Sequence, residues 1–139
     1  MGIISRKEGI ERIDTNILVR IITEDDPKMA KKAKKLFSHK DKLYVFDDSS
    51  MMEVVYVLSG SLYRRTRNQI AKGIKTAMLI PNLVCNKGVI EGALDLYVSH
   101  PKLSFVDCYL ATVAEASGEL PLWTFDHKFA TQCPIAKEL

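Results

Sequence analysis

Cysteine is scarce in this chain: Cys85, Cys108 and Cys133 are three in 139 residues, odd in number and far apart. No Cys-x-x-Cys pair occurs, which argues against a disulfide framework and leaves free, mostly buried thiols as the plain reading. Histidine is as sparse. His39, His100 and His127 offer no His-x-x-x-His spacing, which argues against a zinc site. No apolar run approaches the roughly 18 residues of a membrane span. The apolar start, Met1 to Ile4, is too short for a secretory signal and meets Ser5-Arg6-Lys7-Glu8 at once, so no membrane association and a cytoplasmic location are expected. Internal repeats, low-complexity tracts and linkers are missing too. A large excess of either charge sign is missing as well: 20 Lys and Arg stand against 17 Asp and Glu, and the net of +3 with a pI near 8.7 permits an anionic partner such as nucleic acid without requiring one.

What remains is an ordinary globular composition, 47% hydrophobic and 27% charged, in a length that suits a single domain over 1–139, with 1–9 as a loose lead-in. Short apolar runs, each a strand candidate, stand at Ile10 to Asp14, Leu43 to Phe46, Leu83 to Cys85 and Pro121 to Phe125. Helical patterns alternate with them: Ile17 to Thr23, Lys28 to Lys40, a stretch from Asp47 to about Ser59 or Tyr63, Arg67 to about Leu79, Lys87 to about Val98, and Leu103 to Ser117 with Gly118 as its C-cap. Asp126 to Ala130 reads as a turn or short helix, and the tail from Cys133 as an edge strand or a free end. The alternation predicts an α/β fold, a mainly parallel central sheet with helices on both faces. From Met51 to Leu58 the only charge is Glu53, so that helix is expected to be buried all round.

Four acids sit in apolar company, where a carboxylate is costly to bury: Asp14, Glu53, Asp107 and Asp126. Each has a plain structural explanation. Asp14 suits a helix N-cap, Asp126 a turn, and Ser50 with Glu53 fits a capping box. Asp107 can serve the helix dipole with Ser104 as cap. Yet Asp107 falls within the stripe Leu103, Val106, Leu110, Ala114, which predicts an inward-facing carboxylate, and no Lys or Arg occurs between Leu103 and Leu122 to pair with it. Open parallel sheets bind ligands at the carboxyl ends of their strands, the edge where the pattern places all four acids. Clustered carboxylates repel one another unless a cation neutralises them. Oxygen ligands without His or Cys select Mg²⁺ or Mn²⁺, ions suited to phosphoryl chemistry. Asn16, Ser104 and Thr124 are placed to support the acids by hydrogen bonds. Arg64, Arg65 and Arg67, with Lys31 and Lys35 on the lysine-rich helix, are candidates for phosphate contacts, with plain surface charge as the alternative.

The stretches Ile13-Asp14-Thr15-Asn16-Ile17-Leu18-Val19-Arg20, Met52-Glu53-Val54-Val55-Tyr56-Val57-Leu58, Ser104-Phe105-Val106-Asp107-Cys108-Tyr109-Leu110-Ala111 and Trp123-Thr124-Phe125-Asp126-His127-Lys128-Phe129 resemble the motifs of PIN-domain ribonucleases, and among them the VapC-type toxins of toxin–antitoxin pairs. The likeness runs from about Ile10 to the C-terminus. It implies a three-layer α/β/α domain and a Mg²⁺- or Mn²⁺-dependent endoribonuclease whose metal-binding acids are Asp14, Glu53, Asp107 and Asp126. It also implies an RNA substrate, a homodimer and a small antitoxin partner. A non-catalytic RNA- or protein-binding module, and an RNA-processing nuclease outside any toxin system, stand as alternatives. A phosphatase or receiver domain using Asp14 fits less well, because Asp14-Thr15-Asn16 lacks the second aspartate of an Asp-x-Asp motif.

Overall fold

The computed structural model describes residues 7–139. Most of the anticipated lead-in, residues 1–6, lies outside them; the rest turns through Gly9, at φ 75°, into the first strand. The order is β1 (Ile10–Arg12), α1 (Thr15–Thr23), α2 (Pro27–Leu36), β2 (Leu43–Val45), α3 (Asp48–Ser59), α4 (Arg67–Ala77), β3 (Leu83–Val84), α5 (Lys87–Ser99), α6 (Phe105–Ser117), β4 (Leu122–Thr124), α7 (His127–Gln132) and β5 (Ala136–Glu138). Every strand pair is parallel. β1, β2 and β3 form one sheet in that order, while β4 and β5 pair separately. The chain therefore builds the expected α/β/α architecture with its ladder in two pieces. The tail contributes β5, in register with β4 from Leu122↔Ala136 to Thr124↔Glu138.

Local chemistry explains most of the boundaries. Asp26 accepts from the Met29 amide and Pro27 takes the first helical position, so α2 starts there. It stops at Leu36, short of the expected Lys40. The buried Asn82 amide donates to the carbonyls of Phe37 and His39, holding that backbone in a turn beneath β3. Thr66 and Gln69 form a capping box on α4, and Gly118 closes α6 in the left-handed region at φ 72°. A Cβ on Gly92 would come within 2.9 Å of the Thr112 methyl, so the glycine is what lets α5 lie close against α6.

The core is one cluster around Leu18, Tyr44, Phe46, Met51, Leu58, Ile70, Ile74, Leu83, Ile90 and Leu94, drawing on both sides of the main sheet. Two readings of helix faces need correction. α3 buries Met51, Val54, Val55 and Leu58 but leaves Glu53, Tyr56 and Ser59 exposed, so it has a solvent face. α6 buries Phe105, Cys108, Ala111 and Ala114, while Val106 and Leu110 are 46% and 43% exposed. The inward stripe is thus rotated from the one expected, and Asp107 stands at its edge, partly exposed. Leu103 is buried, but it precedes the helix and does not set its phase.

Candidate active site at the strand ends

The parallel register aligns the carboxyl ends of the three main strands. Arg12 pairs with Val45 and Val45 with Val84, while the Ile13 amide donates to Val45 O and the Phe46 amide to Val84 O. The residues immediately beyond are therefore neighbours along one edge: Asp14, then Asp47 and Asp48, then Asn86. Arg12 pairs with Asp47 across this edge.

Asp14 is the N-cap of α1, exposed, its Oδ1 accepting from the Thr15 amide at 2.5 Å. The next side chain, Thr15, is only 4% exposed and donates its hydroxyl to Glu53 Oε2 at 3.0 Å. That bond ties the start of α1 to α3. Glu53 lies in the second turn of α3, not the first, because the helix begins at Asp48 after an Asp47 N-cap; the expected capping box with Ser50 does not form. Asp107 occupies the third position of α6. Its carboxylate accepts from the Ser104 amide at 3.3 Å while Ser104 Oγ accepts from the Asp107 amide at 3.1 Å, a complete capping box. Asp126 is the N-cap of α7, with Oδ1 accepting from the Phe129 amide at 3.2 Å, and its own amide donates to Thr124 Oγ1 at 3.0 Å. The Ser104 and Thr124 hydroxyl oxygens thus accept from the backbone amides of Asp107 and Asp126 and make no hydrogen bond to either carboxylate. Asn16 lies exposed in the first turn of α1.

The structure links the first three acids through their elements. Thr15 joins α1 to α3, and the Tyr109 hydroxyl of α6 donates to Asp48 Oδ2 at the head of α3 at 2.5 Å. Asp126 belongs to the β4–β5 unit, and no hydrogen bond among the described residues runs from it to the other three. Among the described residues, no three Asp, Glu, His or Cys side chains converge as the ligands of a metal ion do. Asp14, Asp107 and Asp126 instead stand at helix N-termini, where the dipole favours negative charge. Two residues with a part at this edge were not singled out from the sequence as site candidates. Thr15 could be found only by knowing that α1 and α3 touch. Asp48, which also accepts from Asn86 Nδ2 at 3.4 Å, was signalled by the Asp47-Asp48 doublet after an apolar strand.

The basic candidates divide. Arg67 is committed within the fold: its guanidinium lies 4.0 Å over the Tyr97 ring and donates to the carbonyls of Tyr97 and His100 at 2.8 and 3.3 Å. Arg64 sits in a left-handed turn at φ 49° with Nε donating to Ser61 O. Arg65 lines a groove between α3 and α6, and Lys31 and Lys35 are exposed on α2.

The family model for the PIN domain matches residues 13–133, nearly the whole chain. The chain belongs to the PIN domain family. This PIN domain is also similar to the crystal structure of Mycobacterium tuberculosis VapC20, a toxin that cleaves the sarcin–ricin loop, at 19% identity over 88% of this chain and 93% of that one, with a TM-score of 0.40. No curated protein matches this chain significantly. Among the described residues, no helix of the PIN domain is long and apolar enough to cross a membrane.

Proposed function

We propose that this PIN domain is a divalent-metal-dependent endoribonuclease, the toxin of a toxin–antitoxin pair, with Asp14, Glu53, Asp107 and Asp126 as its acidic residues. The observation that carries this reading is the family match over 13–133 together with the hydrogen bond that joins the acid-bearing start of α1 to the acid-bearing face of α3. The donor chemistry suits Mg²⁺ or Mn²⁺. The acids are carboxylates at least partly open to solvent, Cys108 and Cys133 are buried as thiols, and the exposed His127 is engaged with Glu138 at 2.5 Å. When bound, such an ion supplies Lewis-acid stabilisation of phosphate charge and an activated water.

The chain's own residues do the positioning. Asp14 and Asp107 are the principal ligands, each held by a cap hydrogen bond that fixes one carboxylate oxygen and leaves the other available. Glu53 is oriented by the Thr15 hydroxyl, and Asp126 enters from the β4–α7 turn, braced by Thr124. Asn16 and Ser104 complete the polar surround. Arg65, Lys31 and Lys35 hold the RNA backbone by charge. A homodimer, a small antitoxin partner and a cytoplasmic location accompany this reading as proposals carried from the family resemblance.

The test is RNA cleavage by the purified chain with Mn²⁺, with Mg²⁺ and with EDTA. Cleavage only in the presence of the dication, lost in Asp14→Asn and Asp107→Asn, is the expected result. Cleavage that survives EDTA, or full activity in either variant, overturns the assignment. A folded chain that binds RNA and never cleaves it would make this a binding module.

A further inference from the structure

Asp47 and Asn86 occupy the N-cap positions of α3 and α5, yet neither side chain makes a cap hydrogen bond. Asp14, Asp26, Thr66, Ser104 and Asp126 all cap their helices. The two exceptions follow β2 and β3 at the carboxyl edge of the main sheet, and both are engaged elsewhere. Asp47 pairs with Arg12, and Asn86 donates its Nδ2 to Asp48 Oδ2 at 3.4 Å. The same oxygen accepts the Tyr109 hydroxyl at 2.5 Å. One partly buried carboxylate, at the first position of α3, therefore gathers the head of α5 and the second turn of α6. The helix dipole alone favours an acid at that position. It does not account for a tyrosine hydroxyl and an uncommitted cap residue both turned onto it, an arrangement that forgoes the stabilising cap of α5.

α6 packs chiefly on α5, through the close approach that Gly92 allows and the edge contact of Tyr97 with Phe105 at 5.6 Å. Neither contact fixes α6 against α3. Among the described residues, the Tyr109–Asp48 bond is the one side-chain hydrogen bond between those two helices. Apolar packing is non-directional, whereas a hydroxyl donating to a carboxylate fixes both a distance and an angle. Tyr109 lies two residues after Asp107, about 3 Å along the same helix axis, so whatever holds one holds the other. We propose that Asp48 is a positioning residue of the acidic edge: by holding the Tyr109 hydroxyl it sets where α6 and Asp107 stand relative to α3 and Glu53. Thr15 does the same for α1, through Glu53 itself. With Oδ2 committed to two donors, Asp48 acts through Tyr109 and not as a metal ligand.

This inference rests on the nuclease reading, and its test separates the two. Mn²⁺ binding is measured by titration calorimetry, with melting temperature and RNA cleavage followed on the same samples. The chains compared are wild type, Tyr109→Phe, Asp48→Asn, Asp48→Ala and the double variant Asp48→Ala/Tyr109→Phe. Tyr109→Phe should bind Mn²⁺ about ten-fold more weakly, the effect of losing a group that orients a ligand, while melting close to wild type. Asp48→Ala should lose the same factor, and the double variant no more than either single change, because both remove one bond. Asp48→Asn keeps an oxygen for the hydroxyl and should retain most of the affinity. Asp48→Asn as damaging as Asp48→Ala, with Tyr109→Phe harmless, overturns the inference, because Asp48 would then be a ligand. Affinity that falls only in step with melting temperature overturns it too, since the bond would then serve stability alone. Cleavage with Mn²⁺ affinity unchanged in Tyr109→Phe and Asp48→Ala removes the positioning role and leaves the nuclease. Tyr109-dependent Mn²⁺ binding without any RNA cleavage supports the positioning role and removes the nuclease reading. No Mn²⁺ binding by the wild-type chain overturns the positioning role.

Discussion

The Thr15 hydroxyl donates to Glu53 Oε2 at 3.0 Å across 38 residues of chain, from a position almost sealed from solvent. The bond joins the residue after Asp14 to a carboxylate on the exposed face of α3, so it sets the direction of Glu53 relative to Asp14. Thr15→Val keeps the shape and loses the donor. Glu53 is exposed and can rehydrate, so stability should change by no more than about 1 kcal/mol. Metal-dependent cleavage should fall by about ten-fold or more, as for other hydrogen bonds that orient a ligand. Thermal melting alongside a cleavage rate checks both halves, and a variant that melts normally and cleaves normally refutes the orienting role.

Asp107 and Ser104 separate the structural and chemical uses of one capping box. Ser104→Ala removes the acceptor for the Asp107 amide and should cost about 1 kcal/mol, read as a lower melting temperature. Asp107→Asn retains an oxygen for the Ser104 amide and should hold stability within about the same margin, yet abolish metal-dependent cleavage. If the asparagine variant unfolds while remaining soluble activity tracks only the folded fraction, Asp107 is a cap and nothing more.

Much of this fold was legible because its elements advertise themselves locally. The Asp26-Pro27 start of α2, the Gly118 stop of α6 and the four apolar runs are statements about nearest neighbours. Helix phase was less legible. Val106 and Leu110 are apolar and spaced for a core stripe, but the tertiary partners of α6 are α5 and α3, and against them Phe105, Cys108 and Ala111 turn inward. Ser50 and Glu53 have the spacing of a capping box, but the start of α3 at Asp47-Asp48, also readable in the sequence, puts Ser50 inside the helix and Glu53 in its second turn. The separate ladder of β4 and β5 depends on Leu122 finding the Ile135 carbonyl, a long-range pairing of a tail that looked equally able to hang free.

The Asp25 cluster predicts acid sensitivity. The Tyr63 hydroxyl at 2.6 Å, then Thr23 Oγ1 at 2.8 Å and Arg20 at 3.0 Å, hold the Asp25 carboxyl well below the usual carboxylate range. Its folded pKa lies below its unfolded value of about 3.9, so its contribution is complete above that value and is lost as pH falls toward the folded one. Denaturant midpoints of the wild-type chain and Asp25→Asn should therefore differ at neutral pH and draw together below about pH 4. A constant or widening gap on acidification contradicts the network.

Burial pushes the Cys108 thiol up to about 11, against a smaller opposing pull from Arg67. At mildly alkaline pH it stays protonated and is shielded in the α6 interface. Iodoacetamide should label Cys85, which is only half-buried, before Cys108 in the native chain, and both should react at similar rates once denatured. Time-resolved mass spectrometry reads the order. Native labelling of Cys108 as fast as Cys85 would mean that α6 opens readily.

Arg65 and Arg67 are two residues apart and should behave oppositely. Arg67 bridges the head of α4 to the end of α5 through two carbonyls and the Tyr97 ring, so Arg67→Ala strands acceptors and removes a cation–π contact. The expected cost is about 2 kcal/mol of stability. Arg67→Lys should recover only part of it, because an ammonium cannot reproduce the planar fork over the ring while reaching both carbonyls. Arg65→Gln should leave the melting temperature near wild type and weaken RNA binding instead. Denaturation curves and anisotropy on the same three variants decide the matter. Equal destabilisation by both arginine changes would show that the Arg64–Arg67 cluster acts only as a scaffold, and equal loss of RNA affinity at unchanged stability would return Arg67 to the surface that meets phosphate.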